Sequence, residues 1–176
     1  MEPTTKSSAT NNGLYLGAIL SIITVLIYAV NLDLFTEWWL GIVLSIVVVA
    51  FGVISAVKSR TILGGFMSFK QAFTSYFITI LVGTIISTVV GIVIFTFIDP
   101  EAATYVNEQI LVVTKQTMER FGMPQEAMQA ALEEAAKNDN FSLGMQFKNF
   151  AFGLAFYSLI GLIVALIVKK TDVKDA

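Results

Sequence analysis

Four long apolar runs, separated by polar segments, dominate the pattern of the chain. They cover approximately residues 14–31, 38–57, 73–98 and 147–168. A helix needs about 20 predominantly apolar residues to cross the hydrocarbon layer of a membrane. Each run is close to that length and has no acidic or basic residue in its interior, although Lys148 lies at the edge of the fourth. The pattern predicts an all-α, polytopic membrane protein with four transmembrane helices.

The first run is interpreted as a retained span and not as a cleaved signal peptide. Its apolar stretch exceeds the apolar region of an ordinary signal peptide. It is followed by Asn31, Leu32 and Asp33 instead of a small-x-small cleavage site. Residues 1–12, which precede it, are rich in Thr, Ser and Asn and are predicted to be a disordered tail.

The distribution of basic residues predicts the direction of the spans, because cytoplasmic loops carry an excess of Lys and Arg. One side of the four-span topology has seven basic and three acidic residues, and the other has four basic and ten acidic residues. Both termini, including the tails at residues 1–12 and 169–176, are therefore predicted to be cytoplasmic. The long connection at residues 99–146 is predicted to be extracytoplasmic.

Composition requires lipid-facing surfaces and limits the chemistry that the chain can perform. Hydrophobic residues make up 56% and charged residues 14%, against roughly 45–50% and 25% in soluble domains. The chain has no Cys and no His, which excludes thiolate chemistry and removes the commonest metal ligand. A net charge of −2 gives no indication of a nucleic-acid partner. The sequence predicts no catalytic residue, no metal site and no cofactor.

The decad GGFMSFKQAF at residues 64–73 contains a predicted helix-entrance motif. Its members are Gly64, Gly65, Ser68, Phe69, Lys70 and Gln71. The two glycines permit a turn with positive φ, and Ser68 followed three residues later by Gln71 fits a capping box. The alternative is a phosphate-binding loop. The decad lacks the glycine–lysine spacing of such loops and no strand precedes it, so the entrance of the third span is favoured.

The decad, together with the segment IDPE at residues 98–101, resembles a known family. The chain is similar to the bacterial domain of unknown function 4199, whose members are uncharacterised four-span inner-membrane proteins. The resemblance covers nearly the whole chain after residue 12. It implies the four-span topology and a Gram-negative inner membrane. It implies no activity and no catalytic residues.

The third run carries small and hydroxyl residues at every fourth position. These are Ser75, Thr79, Gly83, Ser87 and Gly91. Residues four apart lie on one side of a helix, and small residues let membrane helices approach closely. We interpret this side as a helix-packing face within the bundle. A seam between copies of the chain and a polar path for a solute are the alternatives, but the ionisable groups typical of a conduction path are missing from the runs.

The connection at residues 99–146 is predicted to form a helical hairpin between the third and fourth spans. Asp99 suits an N-cap, Pro100 the first helical position and Glu101 the first turn. Gly122 would end the first helix and Pro124 would start the second. The apolar side chains of the hairpin would pack on each other, on the bundle or on a partner. Carboxylates that are adjacent in sequence point in different directions on a helix, so they do not converge on one cation. The carboxylates of the hairpin are therefore interpreted as solvated.

The favoured function is that of a non-enzymatic integral membrane protein with the lipid bilayer as its solvent. Its hairpin would be the surface for a second copy of the chain or another membrane protein. A small oligomeric transporter or channel that uses the hydroxyl-bearing side of the third span is the first alternative. A lipid-acting enzyme is the second, although its candidate groups are clusters of a single charge sign, either Asp99 with Glu101 or Lys58 with Arg60 and Lys70.

Overall fold

Helices account for nearly all of residues 4–170, which is the part of the chain that the computed structural model describes. Six α-helices are joined by short turns, a 3-10 helix and a π-helical segment. In chain order they are α1 (Thr5–Val30), the 3-10 helix (Leu32–Thr36), α2 (Trp38–Ile62), α3 (Phe69–Ile92), the π segment (Val93–Ile98), α4 (Pro100–Arg120), α5 (Gln125–Ala136) and α6 (Leu143–Val168).

Four helices in the described residues are long and apolar enough to cross a membrane. They are α1, α2, α3 with its π extension (Phe69–Ile98), and α6. The prediction of an all-helical protein with four candidate spans is therefore confirmed. Two spans begin four residues earlier than the apolar runs indicated, at Phe69 and at Leu143, because caps on Ser68 and Ser142 set these starts.

The prediction of a disordered tail at residues 1–12 is wrong for the residues that the structure describes. Helix α1 begins at Thr5, and the Thr4 hydroxyl caps it by accepting a hydrogen bond from Ser7 N at 3.2 Å. Ala9 and Asn12 are buried against the other helices, so tertiary packing stabilises a segment whose composition is typical of disorder. Residues 1–3, and residues 171–176 of the predicted C-terminal tail, lie outside the described residues.

Helix α3 is the central helix of the bundle and packs against α1, α2 and α6. Its crossing with α1 is close. A Cβ on Gly17 would lie 2.8 Å from Ile86 Cβ, and a Cβ on Gly83 would lie 2.6 Å from Leu16 Cδ2. Each helix therefore places a large side chain on a glycine of the other, which is how small residues allow membrane helices to associate without a hydrophobic driving force.

The two ends of the bundle differ. The glycine-turn end comprises residues 58–70 and 168–170, and the hairpin end comprises residues 31–37 and 93–142.

At the hairpin end, Asp99 N donates to Ile94 O at 2.8 Å, five residues back, so the last turn of the third span is π-helical. This wider turn accompanies the burial of Phe95, whose ring packs at 4.6 Å centroid distance against Phe141 and at 5.4 Å against Phe35.

Helices α4 and α5 contact each other and form a hairpin. Gly122 ends α4 with a φ of +69°, a conformation that Gly adopts at no steric cost. The first turns of α4 bury Ala102, Ala103 and Val106, whereas in α5 Met128 is buried. The start of the hairpin is therefore fixed to the bundle, whereas α5 packs mainly on α4.

Candidate functional site

The helix-entrance motif lies at the glycine-turn end, where its residues form a backbone turn and a helix cap. Gly64 and Gly65 have φ values of +75° and +96°. Ser68 Oγ accepts from Gln71 N at 3.3 Å, and Gln71 Oε1 accepts from Ser68 N at 2.9 Å. These reciprocal bonds form a capping box, which satisfies two backbone donors at the start of α3. The side chains of Phe69 and Lys70 are exposed.

The same segment holds the end of the described chain. Met67 N donates to Lys170 O at 2.8 Å and Lys170 N donates to Met67 O at 2.9 Å. Arg60 Nη1 also donates to Val168 O at 3.3 Å. The decad therefore connects the entrance of α3 to the exit of α6 through both backbone groups of Met67.

The predicted packing face of α3 divides into a buried part and an open part. Ser75, Thr79 and Gly83 are buried between helices, whereas Ser87 and Gly91 are half-buried. The Thr79 hydroxyl lies 2.9 Å from Ala9 O, 2.7 Å from Ser55 Oγ and 3.0 Å from Ser75 O. Since it has one proton, it donates to one of these acceptors at a time. It links α3 to α1 and α2.

Two side chains with buried polar atoms were not predicted from the sequence. Asn12 is buried and accepts a hydrogen bond from Lys58 Nζ at 3.2 Å, which joins α1 to α2. Tyr76 has no exposed surface, and its hydroxyl has no hydrogen-bond partner among residues 4–170. An Asn directly before an apolar run was the available signal for the first. The position of Tyr76 within an apolar run gave none, because aromatic residues are common throughout such runs.

Asp99, at the predicted start of the hairpin, is the N-cap of α4 and also accepts a hydrogen bond from a side chain of α1. Asp99 Oδ1 accepts from Ala102 N at 2.9 Å, and Asp99 Oδ2 accepts from Tyr28 Oη at 3.0 Å. The bond from Ala102 N–H and then the bond from the Tyr28 hydroxyl lower the pKa of the Asp99 carboxyl below its ordinary value. Pro100 occupies the first turn of α4 together with Glu101, and both are exposed.

A second tyrosine–carboxylate pair fixes α4 to the connection between α1 and α2. Tyr105 Oη donates to Asp33 Oδ1 at 2.7 Å. This hydrogen bond raises the pKa of the Tyr105 hydroxyl above its ordinary value, because the phenol donates to the carboxylate only while protonated. The base of the hairpin is therefore attached to the bundle through two such bonds.

Between α3 and α6 a crevice opens toward the hairpin end. Its volume is about 330 Å³, and large apolar side chains such as Phe150 and Leu154 line it together with polar and small residues. The lining includes Thr84, Thr88, Gly91, Gln146, Asn149 and Gly153. Asn140 and Phe141 line both this crevice and a cavity of about 610 Å³ at the base of the hairpin. The two spaces therefore adjoin.

The far end of the hairpin exposes large apolar side chains. Phe121, at the turn between α4 and α5, is 84% exposed, and Val112 and Met123 are also exposed. Neither α4 nor α5 covers these three side chains. Among residues 4–170, no three acidic side chains are grouped so that they could hold a metal ion.

Comparison with known proteins adds a family to this description. The model of the family described as Protein of unknown function (DUF4199) matches residues 11–170. Neither a curated protein nor a solved structure matches the chain. The matched range includes the first candidate span from residue 11 onward, the other three spans and the hairpin. Since this range covers most of the 176 residues, the chain belongs to the DUF4199 family of proteins of unknown function.

Proposed function

We propose that the protein is a non-enzymatic integral protein of the bacterial inner membrane whose hairpin binds another membrane protein. The observation that carries this proposal is the exposure of Phe121, at 84%, at the turn of a helical hairpin whose second helix packs mainly on its first. Fully burying a Phe side chain contributes about 1.5–3 kcal/mol. Aromatic residues that enter a partner's pocket contribute most of the binding energy in many interfaces.

The distribution of charged residues between the two ends of the bundle supports a periplasmic location for the hairpin. The glycine-turn end carries Lys58, Arg60 and Lys70 with no acidic residue in its connection, as expected for a cytoplasmic loop. The Tyr105–Asp33 bond brings the hairpin and the acidic first connection to one end of the bundle. With these assignments, both termini are cytoplasmic.

A non-enzymatic role is supported by how the candidate groups are used. Asp99 caps α4 and accepts from Tyr28, and Arg60 donates to the end of α6. These bonds have structural purposes. An enzyme that acts on lipid would need an acid, a base or a metal brought together at an interface.

Photo-crosslinking tests the hairpin as the docking surface. A photoreactive phenylalanine analogue replaces Phe121 in one variant and Phe152 in a matched control. Phe152 lies in α6 and is 67% exposed on an apolar span. In native membranes, position 121 is expected to give one discrete protein adduct, and position 152 only lipid adducts. Lipid adducts alone at both positions would overturn the proposal, and an adduct of twice the chain mass would identify a second copy as the partner.

The crevice between α3 and α6 favours a second candidate, a small oligomeric transporter. Thr84 and Thr88 would line its path on the hairpin side. Tyr76, which has no exposed surface, fills the space between the helices toward the glycine-turn end. Transport would therefore require movement of Tyr76. Solute flux in proteoliposomes that increases in a Tyr76→Ala variant would support this candidate over the docking role.

A further inference from the structure

The crevice between α3 and α6 lies in the half of the membrane next to the hairpin. At 1.5 Å per residue, Tyr157 is about 17 Å and Gln146 about 33 Å along α6 from Val168. The hydrocarbon core of a bilayer is about 30 Å thick. The crevice therefore extends from the middle of the bilayer to its surface, at the depth where the acyl chains and the glycerol of one leaflet lie.

Polar groups line the crevice at this depth. Asn149 is exposed on α6 and Thr88 is half-buried on α3, and both line the crevice. Hydrocarbon offers no hydrogen bonds, so an exposed amide at the membrane boundary requires water or a polar ligand. Phospholipid ester and phosphate oxygens are acceptors, and they lie at the same depth as Asn149.

The adjoining cavity adds charge above the crevice. The carboxylates of Glu108 and Asp139 line the cavity, and Asp139 Oδ1 also accepts from Asn107 Nδ2 at 2.8 Å and from Phe141 N at 3.0 Å. Lys137 lines it too, but its ammonium group pairs with Glu134 at 3.3 Å. A cation that reached the cavity through the crevice would be attracted by the two carboxylates, whereas a second anionic group would be repelled.

We propose that the crevice and the adjoining cavity together bind one phospholipid with a primary ammonium headgroup, of the phosphatidylethanolamine class. The ammonium group lies near Glu108 and Asp139, and Asn149 donates to the phosphate or an ester oxygen. The acyl chains leave between α3 and α6 into the bilayer. This site is separate from the exposed hairpin tip and does not depend on a protein partner.

The glycines of the crevice leave space that a lipid can occupy. A Cβ on Gly153 would meet no atom within 4 Å, and one on Gly91 would meet only Gln146 Oε1 at 3.9 Å. This differs from Gly161 lower on the same helix, where a Cβ would lie 2.6 Å from the Tyr76 ring. The space near Gly153 is thus open, and a larger side chain at that position would fill it without displacing a helix.

Native mass spectrometry of the full-length protein in detergent tests the site. Phosphatidylethanolamine and phosphatidylglycerol with identical acyl chains are added in equal amounts. One bound phosphatidylethanolamine per chain is expected, preferred over phosphatidylglycerol by about tenfold, which is the scale of one charge-assisted hydrogen bond. Gly153→Leu and Asn149→Leu are each expected to reduce this occupancy about tenfold.

A control and a charge variant complete the experiment. Gly144→Leu is the matched control, because Gly144 lies on the same helix, has open space around it and is outside the crevice. It is expected to retain the lipid. Glu108→Gln is expected to reduce the preference for phosphatidylethanolamine while leaving a bound lipid. Equal binding of both lipids that Gly153→Leu leaves unchanged would overturn the proposal and indicate surface lipid only, and a preference for phosphatidylglycerol would also overturn it.

Discussion

The ring of Tyr76 in α3 lies directly on the backbone of Gly161 in α6. A Cβ at Gly161 would be 2.6 Å from Tyr76 Cδ1, and a Cβ at Gly52 in α2 would be 2.5 Å from Tyr76 Cε2, at the opposite edge of the ring. One aromatic side chain therefore fills the space among three helices, and two glycines make that space available. The geometry explains why these positions require Gly in a lipid-solvated bundle.

Gly161→Ala is expected to destabilise the protein. Overpacking a well-packed core costs about 1–3 kcal/mol, whereas Gly→Ala in a helix contributes up to about 1 kcal/mol of stability through propensity. Steric displacement of the Tyr76 ring should therefore exceed the gain. Gly153→Ala is the matched control, since nothing lies within 4 Å of its added Cβ. The midpoint of unfolding in mixed micelles measures both, and an equal change in the two variants would contradict the expectation.

Thr79→Val removes the hydroxyl that links three helices while preserving the side-chain shape. Hydrogen bonds between membrane helices contribute about 0.6 kcal/mol on average and up to about 1.7 kcal/mol. Because the Thr79 hydroxyl is buried and has three acceptors within 3.0 Å, a loss near the upper value is expected. Thr84→Val is the control, since the Thr84 hydroxyl bonds to Ile80 O of its own helix at 2.7 Å. The same unfolding measurement applies, and a larger loss at Thr84 would refute this reasoning.

The parts of the fold that sequence predicted are those with local causes. The spans follow from apolar length, and the Ser68–Gln71 cap follows from two residues three positions apart. The start of α1 was missed because Asn12 is held by Lys58, 46 residues away. Such a contact cannot be derived from the composition of residues 5–12.

The crevice was not predicted from the sequence, because it too depends on contacts between distant residues. It exists because α3 and α6, in contact through Tyr76 and Gly161, leave open space beside Gly153 toward the hairpin end. The sequence indicated the small residues of α3 but not how far each was from its neighbouring helix. The sequence therefore predicted one uniform packing face on α3, whereas in the structure Thr79 is buried and Gly91 borders open space.

The stability contributed by Asp99 is expected to depend on pH. The hydrogen bonds from Ala102 N–H and Tyr28 lower the folded-state pKa of this carboxyl. Its contribution is therefore present above the unfolded-state pKa of roughly 4 and is lost as pH falls through the lower folded-state pKa. Asp99→Asn keeps a capping side chain without the charge.

The difference in unfolding midpoint between wild type and Asp99→Asn measures this contribution. It should be constant from about pH 5 to pH 8 and should shrink below about pH 4. Glu101→Gln is the control, because Glu101 is exposed in the same first turn of α4. A difference between wild type and Asp99→Asn that did not change across this range would show that the charge has no role in fixing α4.

The direction of the chain in the membrane can be tested with single cysteines, because the sequence has none of its own. Glu133→Cys places a thiol on exposed α5, and Lys70→Cys places one on the exposed glycine-turn end. A membrane-impermeant maleimide applied to cells with a permeabilised outer membrane is expected to label position 133 at once. Position 70 should react only after the inner membrane is broken, because cytoplasmic loops carry the excess of Lys and Arg. Prompt labelling of position 70 with protection of position 133 would reverse the orientation and place the hairpin, with Phe121, in the cytoplasm.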